Sequence, residues 1–484
     1  MNTAPTHPRG IYTLFFTEMW ERMSYYGMRV LLVLFMVDQV NGGMGLKDEQ
    51  AAAIYGLYTA LVYSVALPGG WVGDRLLGAK RAVWWGGVVI ATGHLVLGID
   101  RTDTFYLGLI IVALGSGLLK SNMSALVGQL YPEGGARRDA GFTLFYMGIN
   151  VGAFIGQVVC SNLGEHVGWR WGFSAAAAGM ILGLVQFKLT QRHIADVGNW
   201  QPLPGQNVRH DWLLLGGGLA AVVIVTALCL SGVVAFDPIL VAKQTSWAIV
   251  AIAVLFFTWA FFFAKLSAIE IKRMIVIVTM FVAAVLFFAG FEQGGSSFSL
   301  FAERYTIREI GGWKIAAGMF QSLNPLMVVA LSPVVAALWV ALAKRNCEPL
   351  LATKLSWGLL MLAVGFAVAA LAASRALATG PLLPTWLVTI FVFHTIAELF
   401  LSPVGLSAIT KLSPPRLTSQ MMGIWFLGTS LGNLLAGLLA GEVTGDAAAQ
   451  MPARFLQVVA TVGITGIVLW LCARWIQKLM PGVK

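Results

Sequence analysis

Charged residues are scarce in this chain of 484 residues, where they make up 11% of the sequence against 58% hydrophobic residues. A soluble globular domain carries about 25% charged residues, so this composition excludes a soluble protein with a single membrane anchor. Residues 1–10 are polar, and they lack both the apolar stretch and the small-residue cleavage site of a secretory signal peptide. The composition therefore indicates a polytopic membrane protein whose first spanning helix directs its own insertion.

Cysteine is also rare, and the few cysteines form no recognisable pattern. The four are widely separated, at Cys160, Cys229, Cys347 and Cys472. Three of them lie in or beside apolar stretches, so neither a disulfide framework nor a metal-binding spacing is expected. The sequence also lacks a nucleophile elbow and a phosphate-binding loop. We therefore expect no metal, no cofactor and no enzymatic activity, with a membrane-embedded enzyme left as a minor alternative.

The basic residues give the chain a net charge of +10, which alone would suit a protein that binds nucleic acid. They cluster, however, in every second loop, for example at 75–81, 137–138, 188–209, 265–273, 344–354 and 411–416. The intervening loops hold basic and acidic residues in near balance. This positive-inside pattern predicts a multi-pass protein of the cell (inner) membrane, with both termini in the cytoplasm and no nucleic-acid partner.

Apolar stretches long enough to cross a bilayer, about 20 residues each, recur fourteen times along the chain. They lie at 11–40, 50–74, 81–99, 104–130, 140–163, 171–190, 212–235, 246–265, 274–302, 313–342, 354–374, 383–411, 418–440 and 454–478. We therefore predict an all-α integral membrane protein with a six-helix bundle at 1–190, a linker and two extra helices at 191–270, and a second six-helix bundle at 271–484. The extra helices carry no charge in their apolar cores, so we expect them to face lipid rather than join the core.

The first predicted span carries four ionisable residues, although each costs about 2.5–3.5 kcal/mol in hydrocarbon. They are Glu18, Glu21, Arg22 and Arg29. Glu18 and Arg22 are four residues apart and therefore share a helix face. Tyr25 continues this stripe, and Tyr26 lies on its flank. Ionisable side chains at this depth must face a wet cavity or one another, so the stripe is a candidate functional site.

Other predicted spans carry further ionisable residues, namely Lys120, Glu292 and Glu398, and two polar residues lie one turn from Glu398, namely His394 and Ser402. Aromatic and amide side chains accompany them, at Tyr63, Phe145, Tyr146, Asn150, Gln321, Asn324, Trp425 and Asn433. Three cations against four carboxylates nearly cancel, as a buried and mutually paired network requires.

Two interpretations of these residues are open. They could be ion pairs that only specify helix packing. Alternatively, they could form a pocket for a zwitterion, in which Arg29 and Lys120 attract a carboxylate and Glu398 attracts an ammonium group. Buried carboxylates beside cations can also exchange protons near neutral pH, which is the chemistry of a proton relay.

Several motifs resemble those of a known family. The segment EMWERMSYYG at 18–27 resembles the ExxERFxYYG signature of the proton-coupled oligopeptide transporters, with Met23 where phenylalanine is usual. The segment FYMGINVG at 145–152 resembles their FYxxINxG signature, and 398–405 resembles their motif in the tenth helix. The loop at 70–81 is similar to a motif of the whole major facilitator superfamily. The resemblance implies a major facilitator fold, in which the two extra helices are typical of prokaryotic members.

The resemblance also implies roles for individual residues. Arg29 and Lys120 would bind the peptide C-terminus, while Glu398, aided by Asn324, would bind the N-terminus. The remaining substrate-binding candidates are Tyr25, Tyr26, Tyr63, Tyr146, Asn150, Ser402 and Trp425. Proton coupling would use Glu18, Glu21, Arg22 and Glu292, together with Lys120. Protonation of Glu292 would release Arg29 from a pair that closes the extracellular gate.

Two positions depart from the family pattern, and a third suggests a separate hypothesis. Mammalian members carry a histidine where this chain has Gly56, so proton coupling here should depend on carboxylates. Phe288 occupies a position where some bacterial relatives have tryptophan, so the selectivity of the pocket can differ. His394 lies one turn from Glu398, and we hypothesise that it tunes this carboxylate, the simpler interpretation being a buried core histidine.

The sequence thus predicts a symporter that imports di- and tripeptides by alternating access. Protons are its coupling ions, its only other partner is the lipid bilayer, and we expect it to work as a monomer. A relative that carries another anion or a peptide-like drug is the main alternative. A channel would pass its substrate without saturation or pH dependence, and a receptor would bind without accumulation.

Overall fold

The structure is almost entirely helical, as the long apolar stretches of the sequence predict. The computed structural model describes residues 7–99, 102–132, 135–202, 205–345, 347–443 and 449–480. Over these residues the α-helices are α1 (Gly10–Val37), α2 (Asp48–Val72), α3 (Ala79–Leu97), α4 (Thr102–Gln129), α5 (Gly135–His166), α6 (Trp169–Thr190), α7 (Val208–Leu230), α8 (Pro238–Phe263), α9 (Ala268–Phe291), α10 (Ser297–Tyr305), α11 (Leu323–Lys344), α12 (Leu351–Thr379), α13 (Thr385–Leu412), α14 (Thr418–Val443) and α15 (Met451–Lys478). The predicted all-α class is confirmed.

Helices α9 and α10 belong to a single membrane-spanning segment, because only the 3₁₀ turn Glu292–Gly295 separates them. The helices therefore make fourteen segments, as predicted. Within the described ranges, 12 are long and apolar enough to cross a membrane by length and composition alone. The other two are α1, which carries the four ionisable residues, and α3, which begins with two basic residues.

Two local features differ from the prediction. Helix α8 begins at Pro238, eight residues before the predicted start, because proline is well suited to the first turn of a helix and the polar residues that follow obscured this start. A short antiparallel hairpin, β1 (Glu309–Ile310) and β2 (Trp313–Lys314), follows α10. Gly311 and Gly312 connect its strands with φ of 61° and 79°, as a tight two-residue hairpin loop requires.

The chain forms two compact units. Unit 1 comprises Met1–Met44 and Leu61–Asp237, and unit 2 comprises Gly45–Ala60 and Pro238–Lys484. Helix α2 is therefore shared, since its first half packs within unit 2 and its second half within unit 1. The predicted domain limits at 190 and 270 stay a prediction.

Unit 1 is built around α1, which packs extensively against α5 and α6, and around α3, which packs against α4 and α6. Helix α7 belongs to this unit but touches little of it. Its most apolar stretch has no buried residue, and its one buried residue, Asp211, lies in its first turn. This agrees with the predicted lipid-facing position of the first extra helix.

Unit 2 is built around α12, which packs against α13 and α15, and around α14, which packs against α9 and α8. The first half of α2 lies directly against α14. A Cβ atom on Gly56 would come within 3.1 Å of the Asn433 carbonyl oxygen, and Ser430 Oγ donates a hydrogen bond of 3.1 Å to the Ala60 carbonyl. Position 56 is therefore a close approach between α2 and α14, and the carboxylate-based coupling that the sequence predicts stays a prediction.

Candidate functional site

The ionisable residues of α1 form a buried cluster. Glu18, Glu21 and Arg22 are 2%, 0% and 5% exposed. Arg22 Nε donates a hydrogen bond of 2.8 Å to Glu18 Oε1 and lies at the same distance from Glu21 Oε2. The second contact lacks hydrogen-bond geometry, and among the described residues neither carboxylate oxygen of Glu21 has a hydrogen-bond partner. Two buried carboxylates thus share one guanidinium group.

Two tyrosines extend this cluster along α1. The Arg22 guanidinium lies 5.6 Å from the centre of the Tyr25 ring, and the Arg29 guanidinium lies 5.7 Å from that of Tyr26. The two tyrosine rings meet edge to face, with centroids 5.1 Å apart. Tyr25 is buried, whereas Tyr26 and Arg29 are partly exposed. Along this stripe the carboxylates are therefore buried, and the cation Arg29 is partly accessible.

Lys120 of α4 faces the same cluster. Its Nζ lies 3.8 Å from the centre of the Tyr63 ring of α2, which is a close cation–π contact. It is also near enough to Glu21 to interact with that carboxylate electrostatically. Unit 1 therefore brings a cation of α4 close to the carboxylates of α1 in the protein interior.

Helix α5 contributes two of the predicted site residues to unit 1. Asn150 is buried, and its Nδ2 donates a hydrogen bond of 3.0 Å to the Tyr146 carbonyl oxygen of the same helix. The Tyr146 side chain is 42% exposed. The tyrosine is thus the more accessible of the two for contact with a substrate.

A second group of predicted residues meets within unit 2. Asn324 Nδ2 of α11 donates hydrogen bonds of 2.9 Å to Glu398 Oε2 and 3.2 Å to Thr395 Oγ1, both on α13. Glu292, which is 7% exposed at the break between α9 and α10, interacts electrostatically with Glu398. Thr395 was missed by the sequence reasoning, although its position three residues before Glu398 places it on the same helix face.

Trp425 and Ser402 complete the predicted residues of unit 2. The Trp425 indole of α14 packs against Gly405 of α13, where any side chain would overlap the ring. Trp425 is 5% exposed, while Ser402 is partly exposed on α13. Glycine at position 405 is therefore what allows the indole to approach the helix that carries Glu398 so closely.

His394 lies among phenylalanine rings in unit 2. It is buried, and its ring lies 5.1 Å from that of Phe366, 5.3 Å from that of Phe298 and 6.5 Å from that of Phe291. The contacts that the structure describes for His394 do not include Glu398. A role in tuning Glu398 stays a prediction, and so does the predicted pair of Glu292 with Arg29.

Groups of three or more side chains that could hold a metal ion are absent from the described part of the chain. The chemistry that the arrangement offers is instead electrostatic. Unit 1 presents the cations Arg29 and Lys120 beside an acidic cluster, and unit 2 presents the carboxylate of Glu398, which accepts a hydrogen bond from the Asn324 amide. Together with the fourteen-segment helical fold, these features define a membrane transporter of the major facilitator type.

Comparison with known proteins identifies the family. Residues 80–453 match the POT family, that of the proton-coupled oligopeptide transporters, and the chain belongs to this family. It is 41% identical to the peptide transporter YePEPT of Yersinia enterocolitica, over 99% of this chain and 96% of the relative. It is 33% identical to a di-/tripeptide transporter of Lactococcus lactis, over 99% and 97% of the two chains. The predicted family is confirmed, and so is the prediction that the chain is a transporter rather than an enzyme.

Solved structures of the family have the same fold. A crystal structure of a peptide transporter POT in complex with sulfate superposes with a TM-score of 0.91 at 36% identity, covering 98% of this chain and 96% of the other. A POT family transporter in complex with 5-aminolevulinic acid superposes with a TM-score of 0.88 at 30% identity, covering 98% and 97% of the two chains.

Proposed function

We propose that this protein is a proton-coupled symporter that imports di- and tripeptides across the cell membrane by alternating access. The observation that carries the proposal is the buried cluster in which Glu18 and Glu21 share Arg22 while Lys120 interacts electrostatically with Glu21. The names of the relatives from Yersinia enterocolitica and Lactococcus lactis support peptides as the cargo.

The proposed substrate contacts follow from charge. Arg29 and Lys120 bind the peptide carboxylate, because a guanidinium group offers paired donors and an ammonium group offers a compact positive charge. Glu398 binds the peptide ammonium group, and the hydrogen bond from Asn324 holds the carboxylate in position. The candidates that contact the peptide backbone and side chains are Tyr25, Tyr26, Tyr63, Tyr146, Asn150, Ser402 and Trp425.

Proton coupling follows from the charge balance of the α1 cluster. Two carboxylates against Arg22 leave one negative charge in the protein interior, and a proton or a further cation must balance it. Lys120 can be that cation. When a peptide carboxylate engages Lys120, a proton on Glu18 or Glu21 restores neutrality, so binding of the peptide and uptake of the proton favour each other.

The orientation and assembly of the protein are also proposals. The basic loops favour cytoplasmic termini in the cell (inner) membrane. All the proposed substrate-binding residues belong to one chain, so we propose that the monomer transports. Protons are the only coupling agent that the proposal needs.

One neighbour described above was solved in complex with 5-aminolevulinic acid, which carries an amine and a carboxylate like a peptide. A transporter of another anion or of a peptide-like drug is therefore the second candidate. Competition separates the two: excess unlabelled dipeptide should suppress uptake of labelled dipeptide, and nitrate should not. Suppression by nitrate, or by a peptide-like drug far more strongly than by dipeptides, would contradict the proposal.

The direct test is uptake of a labelled dipeptide into liposomes under an imposed inward proton gradient. Wild-type protein should accumulate the dipeptide, and collapse of the gradient should abolish the accumulation. Glu292→Gln should lose accumulation while it still exchanges external for internal peptide, because a neutral side chain cannot take part in the proton cycle. Glu309→Gln, in the exposed hairpin, is the matched control. Uptake that ignores the gradient would overturn the proposal.

A further inference from the structure

Helix α2 is irregular where it passes α4 in unit 1. It contains Pro68, which lacks a backbone donor, and it continues into the π-helical turn Gly73–Leu77. The two backbones touch at this crossing, because a Cβ atom on Gly69 would overlap the Gly117 carbonyl group of α4. An irregular helix at membrane depth needs neighbouring polar groups to satisfy and fix its backbone.

The two residues that follow Lys120 supply these polar groups. Ser121 Oγ donates a hydrogen bond to the Ala66 carbonyl of α2. Asn122 Nδ2 donates hydrogen bonds of 3.1 Å to the Gly69 carbonyl of α2 and 2.7 Å to the Leu118 carbonyl of α4. Asn122 therefore holds the backbones of both helices through one amide group.

Gly73 provides the space in which this amide group lies. A Cβ atom at position 73 would overlap the Asn122 side-chain oxygen, so only glycine accommodates the amide. Asn122 is 2% exposed. The amide is thus enclosed between α2 and α4 and hydrogen-bonded to the backbones of both helices.

This arrangement fixes the position of Lys120. Lys120 immediately precedes the two residues bound to α2, and Tyr63 lies one turn before the first of the bound α2 carbonyls. A slip of α4 along α2 by one residue would be about 1.5 Å, enough to disrupt the 3.8 Å contact between Lys120 Nζ and the Tyr63 ring. The same slip would move Lys120 relative to Glu21, with which it interacts.

We propose that Asn122 is a positioning residue for peptide binding, because it sets the axial register of α4 against α2 and thereby holds Lys120 over Tyr63. The inference rests on the proposed role of Lys120 in binding the peptide carboxylate. It adds to that role a requirement for an amide at position 122 and for glycine at position 73.

The functional test compares Asn122→Ala with the control Ser116→Ala. Ser116 lies one turn before Lys120 on α4, is buried, and has no hydrogen-bond partner for its hydroxyl among the described residues. Loss of the Asn122 hydrogen bonds should raise KM for a dipeptide about fivefold and leave kcat nearly unchanged. The conversion is about 1.4 kcal/mol of binding free energy for each tenfold change in affinity. Ser116→Ala should leave both constants at wild-type values. A kcat loss with constant KM, or equal effects of both variants, would overturn the inference.

A second comparison tests the amide pocket itself. Gly73→Ala should raise KM in the wild-type background, because the new methyl group displaces the Asn122 amide. In the Asn122→Ala background the methyl group has room, so Gly73→Ala should add no further effect. Additive effects of the two substitutions would show that Asn122 does not act through this pocket, and they would contradict the proposal.

A structural measurement separates this inference from the proposed function. Tyr63→Cys and Lys120→Cys are combined in a chain whose four native cysteines are replaced by alanine, and a short thiol cross-linker is applied. Asn122→Ala should remove most of the cross-linked product, and Ser116→Ala should not. An unchanged yield would refute the positioning role even if transport is confirmed. A wild-type protein without dipeptide uptake would refute the proposed function, whereas the cross-link would still test the register.

Discussion

Replacing Gly152 with alanine is expected to separate α5 from α1 at the acidic cluster. A Cβ atom on Gly152 would overlap the Met19 carbonyl oxygen and come within 3.0 Å of the Arg22 Cβ. Gly156, one turn later, faces the Met23 carbonyl in the same way. The two glycines form a small-xxx-small face on which α1 lies in backbone contact, as in many membrane helix pairs.

The magnitude follows from two opposing effects. The obstacle is backbone and cannot rotate away, so the methyl group must move by about 1 Å or more to reach normal contact distance. Overpacking of this kind costs about 1–3 kcal/mol, and we take the upper part of the range because of the rigid obstacle. The better helix propensity of alanine offsets about 1 kcal/mol. The net loss of stability is therefore about 1–2 kcal/mol for Gly152→Ala.

Gly217→Ala in α7 is the matched control. No atom lies within 4 Å of the position that its Cβ would take, so only the propensity effect of about 1 kcal/mol in favour of alanine applies. Thermal unfolding in detergent should therefore give a lower midpoint for Gly152→Ala and an equal or higher midpoint for Gly217→Ala. Dipeptide uptake should fall only for Gly152→Ala, because the shift moves Arg22. Identical midpoints and uptake for the two variants would refute the close-contact argument.

Two further predictions concern loops and helix ends. Arg304→Lys in unit 2 should lower the midpoint of thermal unfolding. Arg304 donates two hydrogen bonds of 2.6 and 2.7 Å to the Asp48 carboxylate, and lysine cannot reproduce this paired geometry. A midpoint equal to that of wild type would show that one hydrogen bond suffices. Burial alone would raise the pKa of the Asp38 carboxyl, but hydrogen bonds from the Trp169 indole and nearby backbone amides lower the pKa below its usual range. Trp169→Phe should therefore lower the stability at neutral pH. The part of this loss that reflects Asp38 should disappear as the pH falls and the Asp38 carboxylate becomes protonated. Thermal unfolding measured at several pH values tests this prediction.

Much of the fold could be predicted because it depends on local sequence. Apolar stretches separated by charged loops gave the number of segments, since a bilayer sets the length of each. Helical periodicity placed Glu18 and Arg22 on one face, and the structure pairs them at 2.8 Å. The hairpin after α10 was missed because two strands of two residues carry no periodic signal.

The contacts between helices were less predictable, because sequence spacing is silent about which helices touch. Lys120 could be recognised as an unusual charge, but its partner Tyr63 lies 57 positions earlier. Asn122 could not be recognised from the sequence, because an asparagine near a lysine in an apolar span has no signature of its own. Its proposed role depends on the space that Gly73, which has no side chain, leaves for the Asn122 amide. This space can be recognised only from the packing of α2 against α4.

The glycines also show that the sequence does not reveal which helices touch. They explain how the helices that carry the charged residues pack together. Gly152 lies in direct contact with α1, while Gly217 faces open space, yet both occupy apolar helices. In unit 1 the charged residues lie on helices that meet backbone to backbone, at Gly152 for α1 and at Gly69 for α2 and α4. Such crossings leave little freedom for the side chains between them. The alternating access proposed above would accordingly have to move these helices as packed groups rather than rearrange single side chains.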